Sequence, residues 1–348
     1  MPAQYFKNFT ISNKEQPFYC GQSVLLAHSK AYHVGKSILG ENSSITYKNN
    51  GGYKIPLTNS TADAEAVQRA WDFNEGWFSE PIYLTGDYPE TVKEYVSGFL
   101  RDFTDEEKQE ILGSADFYAH DAYSAQFYMA PETGLDSCIG NETHPLYPTC
   151  ADSTYFYSAE DGGWVVGPAA DPGSPWLHKA TDWVPAFLKY MEDTWVTPSP
   201  GPAKGVAVTE FGFSEPFESS KTLLQDILYD TIRAAYYHDY MEAILMAIAE
   251  GTDVIGSLAW SFVDNYVSAY NDSSCARIAR EMLTSLAHRN GNKVTSPGSE
   301  CSMSISQTHP YVISLPPLRV VTDNHTAAPL LQSLVLRIHQ CIQGLRWL

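Results

Sequence analysis

A short apolar run, Val206-Ala207-Val208, ends in the polar pair Thr209-Glu210, which is followed by Phe211 and Gly212. A carboxylate where a buried strand meets its loop is costly unless it is paired or used. Two other runs end in the same way. Residues 115–120 lead into Asp121-Ala122-Tyr123, and residues 254–260 end at Trp260 and lead into Ser261, Asp264 and Asn265. In a closed parallel barrel such ends converge on one face, where reacting groups lie. Carboxylates there, beside Tyr123 and Trp260, suit sugar chemistry: an aromatic ring stacks on the apolar face of a pyranose, and a carboxylate attacks or stabilises the anomeric carbon. A strand-end glutamate equally fits a helix cap or an ion pair with an arginine such as Arg233. Tyr123 and Trp260 equally fit a core.

The elements that would position these residues alternate. Residues 24–38 read as a helix, 45–47 and 53–55 as strands or loop edges, and 60–78 as a second helix. Thr104 and Glu107 form a capping box, with Gly113 as the stop. Strands are expected at 115–120, 206–208 and 254–260, and a helix over 183–195. Residues 162–175, rich in Pro and Gly, read as a long loop. A long helix is expected over 221–250, with Leu224, Ile227, Leu228, Ile232 and Ala235 at core spacing. Strands alternating with helices imply an α/β fold with a parallel sheet.

The 348 residues carry a formal net charge of −19 and are 44% hydrophobic, ample for a sizeable core. So acidic a surface repels polyanions, which argues against nucleic acid and anionic membrane as partners. No run of 18 apolar residues is present to span a bilayer. The first twenty residues lack the layout of a signal peptide, so export is not written there. There is no GxSxG, GxxxxGK, HExxH or strand-borne GxGxxG, which leaves no anchor for a serine nucleophile, a nucleotide, a zinc protease or a dinucleotide. No cofactor is implied. The six cysteines form no CxxC pair, so a structural metal is not expected. Cys138 and Cys150 bracket a stretch with two prolines and the acceptor triplet at Asn141, the composition of a disulfide-closed surface loop. Further acceptor triplets begin at Asn8, Asn42, Asn59, Asn271 and Asn324, and together they point to the secretory pathway.

Composition shifts near residue 274. Residues 1–274 hold 15 basic, 38 acidic and 43 aromatic side chains, whereas 275–348 hold 7, 3 and 2. The chain therefore divides into a domain over 1–274 and an unrelated, poorly ordered basic tail over 275–348, in which residues 330–347 could form a short amphipathic helix.

Four stretches carry a resemblance. VTEFGFSEPFE (208–218) resembles the nucleophile strand of family 1 glycoside hydrolases, the β-glucosidases. WDFNEGWFSEPIYLTGDYP (71–89), FTDEEKQEILGSADFYAHDAYS (103–124) and GSLAWSFVDN (256–265) are similar to three further motifs of that family, in the same order. Phe211 after the glutamate, and the cysteine-bearing loop, look most like the fungal branch. The resemblance implies a (β/α)8 TIM-type barrel, incomplete because only strands five to eight match. It implies retaining hydrolysis of β-glycosides, with Glu210 as nucleophile, Tyr123 as its hydrogen-bonding partner and Trp260 as the platform under the sugar. Asp121 stands where the family usually has asparagine and would touch substrate.

The departures are equally specific. The family's acid/base glutamate lies in an Asn-Glu-Pro motif, which this sequence lacks; Glu15, in Lys14-Glu15-Gln16-Pro17, reads as a surface residue. The resemblance thus implies a β-glucoside or oligosaccharide as partner, a nucleophile without its acid, and open barrel edges that favour self-association. A catalytically inactive carbohydrate-binding remnant is the alternative, and an unrelated acidic α/β binding protein a third reading.

Overall fold

The structure, a computed structural model, describes residues 14–155, 167, 174 and 176–260. The tail over 275–348, the helix considered over 330–347 and nearly all of the 162–175 stretch lie outside the described residues. Helix α1 (Gln16–Leu39) leads to strands β1 (Lys48–Asn50) and β2 (Tyr53–Pro56). Helices α2 (Thr61–Trp71), α3 (Trp77–Ser79), α4 (Glu90–Tyr95) and α5 (Asp105–Ile111) follow. Then come β3 (Tyr118–Asp121), β4 (Ala125–Met129), β5 (Asp152–Thr154), α6 (Val184–Met191), β6 (Val206–Phe211), α7 (Leu224–Leu228), α8 (Thr231–Ala249) and β7 (Val254–Ala259).

Two sheets result. One is wholly parallel, in the order β1-β3-β6-β7. The other, β2-β4-β5, continues β1 and β3 past the ends of the first sheet and adds the antiparallel β5. Strand β6 is buried along nearly all its length, as a central parallel strand covered on both faces should be. Every residue of β7, by contrast, is at least partly exposed. No helix among the described residues is long and apolar enough to cross a membrane.

Local sequence explains most element ends. Ser60 caps α2 by accepting from the Asp63 N–H at 3.1 Å. The helix expected over 60–78 runs further, through π turns at Asp72–Gly76 and Glu80–Thr85, and stops where Gly86 adopts φ 78°. The Thr104–Glu107 capping box forms in both directions.

The long helix expected over 221–250 is broken. Tyr229 and Asp230 leave helical geometry with ψ of 67° and 64°, separating α7 from α8. Its expected core face is also wrong: Leu224 and Leu228 are 68% and 72% exposed, whereas Tyr236 and Tyr240 are fully buried. The reason is aromatic. Phe211 stacks on Tyr240 with centroids 4.3 Å apart, and Phe213 on Tyr236 at 5.1 Å, so the tyrosines rather than the leucines turn toward the sheet.

Lys54 and Glu75 form an ion pair at 2.5 Å, fully out of solvent, with the ammonium 4.0 Å from the Trp71 ring centroid. Such a pair is held by mutual compensation, because either ion alone would be stranded. His28 is buried on α1, its Nε2 2.7 Å from the Ser114 carbonyl. Burial pushes its pKa down from 6.5 to about 4, more than that hydrogen bond raises it. The folded protein therefore keeps His28 neutral where the unfolded chain protonates it, and stability is lost as pH falls from 6.5 toward 4. By pH 5 this one group should cost about 2 kcal/mol. Urea unfolding at pH 7 and pH 5 should show a smaller pH-dependent loss for His28→Gln than for the wild type.

Candidate active site

The parallel sheet brings its C-terminal strand ends together. Asn50 lies beside Asp121 across the β1–β3 ladder, and Asp121 beside Glu210 across β3–β6, with a register shift between His120 and Asp121. The shift places two carboxylates on adjacent strand ends. The Ala122 N–H donates to the Glu210 carbonyl at 2.9 Å, and Tyr240 of α8 donates its hydroxyl to the Ala122 carbonyl at 2.7 Å, so a helix and two strands fix one backbone corner.

Both oxygens of the buried Glu210 carboxylate are engaged. Oε1 accepts from Lys48 Nζ at 2.6 Å, and Oε2 accepts from the Tyr123 hydroxyl at 2.9 Å. The same Lys48 ammonium lies 2.9 Å from Asp121 Oδ2, and Thr209 donates its hydroxyl to Asp121 Oδ1 at 2.9 Å. Burial raises the Asp121 pKa to about 6; Lys48 opposes that and the charge of Glu210 adds to it. Burial alone would lower the Lys48 pKa, but Asp121 and Glu210 outweigh it and hold the ammonium above the usual lysine range. Tyr123 meets Trp176 edge-to-face, with centroids 5.8 Å apart.

Trp260 ends β7 by donating its N–H to the Phe211 carbonyl at 2.7 Å, and its own carbonyl accepts from the Tyr237 hydroxyl at 2.7 Å. That carbonyl explains Gly212: a Cβ at position 212 would collide with the Trp260 oxygen. Glu210, Tyr123 and Asp121 thus form one cluster, with Trp260 joined to it through the backbone beside Phe211. Arg233, considered above as an ion partner for Glu210, instead pairs with Asp230, and the cation on Glu210 is Lys48. Among the described residues no group of three His, Cys, Asp or Glu side chains stands ready to hold a metal ion.

Sequence reasoning missed Lys48, Thr209 and the two tyrosines of α8. Lys48 had a readable signal. It opens the polar Lys48-Asn49-Asn50 that ends a short strand, as the other polar strand ends do. Away from this cluster, Cys138 and Cys150 are joined by a disulfide with Cα atoms 5.7 Å apart, and Arg69 donates to the Cys150 carbonyl at 3.0 Å.

The sequence profile of glycosyl hydrolase family 1 matches residues 3–273. The chain belongs to glycosyl hydrolase family 1. β-Glucosidase 1B of Phanerodontia chrysosporium is 32% identical over 257 residues, which is 72% of this chain and 42% of that protein. β-Glucosidase 24 of Oryza sativa subsp. japonica is 30% identical over 253 residues, 72% of this chain and 47% of that protein. The chain therefore spans less than half the length of these curated relatives. Among solved structures, β-glucosidase 2 of Trichoderma reesei, in complex with Tris, superposes with a TM-score of 0.61 at 28% identity, covering 71% of this chain and 50% of that one. A rice β-glucosidase gives 0.63 at 26% identity, covering 76% and 53%. The four parallel strands are accordingly part of a family 1 (β/α)8 barrel, of which the described residues cover only a portion.

The Gly212 contact yields a direct check. Gly212→Ala should lower stability by about 1–3 kcal/mol, because the methyl group must displace the Trp260 backbone from its bond to Phe211. A matched urea series on wild type and variant reads the loss, and an unchanged midpoint would show that the β6–β7 corner yields freely.

Proposed function

We propose that this chain carries the nucleophile of a retaining β-glucosidase, with Glu210 as the attacking carboxylate. The observation that carries this reading is the Glu210 carboxylate at the C-terminal end of β6, oriented by Tyr123 on one oxygen and Lys48 on the other. In the first step a carboxylate oxygen bonds to the anomeric carbon as the glycosidic C–O bond breaks and its electrons leave with the aglycone oxygen. In the second, a water oxygen bonds to the anomeric carbon as the ester C–O bond breaks, the carboxylate leaves with its electrons, and the water gives up a proton to solvent. A mutant of the rice enzyme has been solved in a covalent complex with Glc, which supports covalent chemistry for this family member also. Tyr123 steadies the nucleophile, and Trp260 is the platform for the sugar ring.

The leaving oxygen needs a proton, and the family motif that supplies it is not in this sequence. Asp121 does not fill that role in this reading. It shares its cation with Glu210 and so stands on the nucleophile's side, whereas the acid must face the leaving group. General acid assistance is worth a factor of about 10² to 10⁴, so leaving groups that need no proton should react far better than natural glycosides. A dinitrophenyl fluoro-deoxy-β-glucoside should add one fluoroglycosyl mass to the wild type, located at Glu210 by peptide mapping, and none to Glu210→Gln. Absence of the adduct in the wild type would sink the nucleophile assignment. Brisk turnover of an unactivated disaccharide, abolished by Glu210→Gln, would show that a proton donor is present after all.

Entry into an oxidising compartment is part of the same reading. It is supported by the Cys138–Cys150 bond and by three acceptor asparagines, Asn42, Asn59 and Asn141, all exposed.

We also infer that a second copy of the chain covers the open side of the sheet. Ile255 and Leu258 of β7 are about half exposed, as are Leu245, Met246 and Ile248 of the adjoining α8. Four parallel strands from each of two copies supply the eight that a closed barrel uses, and pairing would cover an edge that is otherwise a template for aggregation. Light scattering should give a multiple of the 38.7 kDa chain mass, reduced by Leu245→Glu. A cooperatively unfolding monomer would overturn this assembly.

A further inference from the structure

Two carboxylates, Asp121 and Glu210, end adjacent strands, and one ammonium, Lys48 Nζ, sits between them at 2.9 and 2.6 Å. We propose that Lys48 is the positioning residue of the site: it keeps Glu210 ionised beside a second carboxylate and passes its charge pairing to Asp121 when Glu210 is esterified. This rests on the reading of Glu210 as nucleophile.

The argument begins with charge. Like charges side by side disfavour ionisation of both, and a cation in contact with each restores it. As the glycosyl ester forms, Glu210 loses its charge. A lysine paired with Glu210 alone would then lose its counter-charge at a half-buried position, and the neutral ester would offer none in return. Lys48 is not stranded, because Asp121 remains its partner. The reverse transfer takes place when water releases the sugar, so one cation serves both stages.

The neighbouring titratable groups are consistent with this division. From β1 the cluster meets Lys48; from β3 and the residues after it come Asp121, the Tyr123 hydroxyl on Glu210, and the buried His120, whose Nε2 is 3.0 Å from the Gly51 carbonyl. From α8 comes Tyr240, which donates to the Ala122 carbonyl between them. His120 is held neutral, its pKa pushed down by burial to about 3. Lys48 is a poor proton donor here because both carboxylates favour its charged form. Its place is to hold charge.

The ionisation of Glu210 reads the proposal directly. In protein carrying carboxyl-labelled glutamate, the Glu210 carbon resonance is identified by its loss in Glu210→Gln, and its titration midpoint needs no substrate. Lys48→Met should raise that midpoint by about one pH unit or more, and Lys48→Arg should leave it near the wild-type value. Lys48→Gln, which keeps a hydrogen bond without charge, should behave like Lys48→Met and provides a second variant should methionine disturb folding. In an Asp121→Asn background the shift caused by Lys48→Met should shrink, since one of the repelling carboxylates is gone. The acidic limb of fluoroglycosyl labelling should move with the midpoint. An unshifted midpoint in folded Lys48→Met and Lys48→Gln overturns the proposal, whatever the labelling shows. A shifted midpoint with no labelling of the wild type upholds the electrostatic role of Lys48 and removes the nucleophile reading instead.

Discussion

One ammonium between two carboxylates is the contact on which this site depends. Asp121 and Glu210 are both buried at strand ends, and neither charge is tolerable there unless it is compensated. Lys48 reaches them from β1, so the first strand of the sheet must lie where its side chain spans β3 and touches β6. The pairing thereby ties strand order to site chemistry. A few residues on, Lys54 compensates the buried Glu75 in the same manner. A chain with 41 acidic and 22 basic side chains thus commits two of its scarce cations, both from residues 48–56, to buried carboxylates. That short segment sets the electrostatics of the sheet's inner end.

Around this contact the packing is aromatic, and it explains how the corner stays in place. Tyr240 stacks on Phe211, the residue after Glu210, while its hydroxyl holds the carbonyl of Ala122, the residue after Asp121. Tyr237 holds the carbonyl of Trp260 at the end of β7. Two tyrosines of one helix therefore grip three successive strand ends. Large rings with a polar tip can do both jobs, filling space against the sheet and bonding to a backbone group that would otherwise be orphaned. Leucines at those positions could only fill space.

Much of this was legible in the sequence, and the physical reasons differ by residue. Strands at 206–208 and 254–260 showed as apolar runs bounded by polar ends, and the Thr104–Glu107 box is a local signal that needs no tertiary context. Glu210 and Tyr123 were identified by residue type at strand ends together with the motif they occupy. Lys48 was not, because its meaning comes from partners 73 and 162 residues away, which only the strand order brings near. The core face of the helix expected over 221–250 was misjudged because apolar spacing ranked Leu224 and Leu228 above the tyrosines of 231–249. Burial followed ring packing and hydroxyl pairing, which a hydrophobic period does not weigh.

The described strands of this fold are not equally supported. In the described part, β6 is buried on both faces and has partners on both edges, so the strand carrying Glu210 is as well supported as in a closed barrel. Less cover reaches β7 and α8, where Ile255, Leu258, Leu245, Met246 and Ile248 are exposed. Among the described residues the strand that carries Glu210 is thus well covered, and β7 is not. The charge cluster is satisfied by β1, β3, β6 and the Tyr123 that follows β3. The order of the Glu210 cluster therefore does not depend on what covers β7: its ion pairs and hydrogen bonds come from β6 itself and from the strands on its other side.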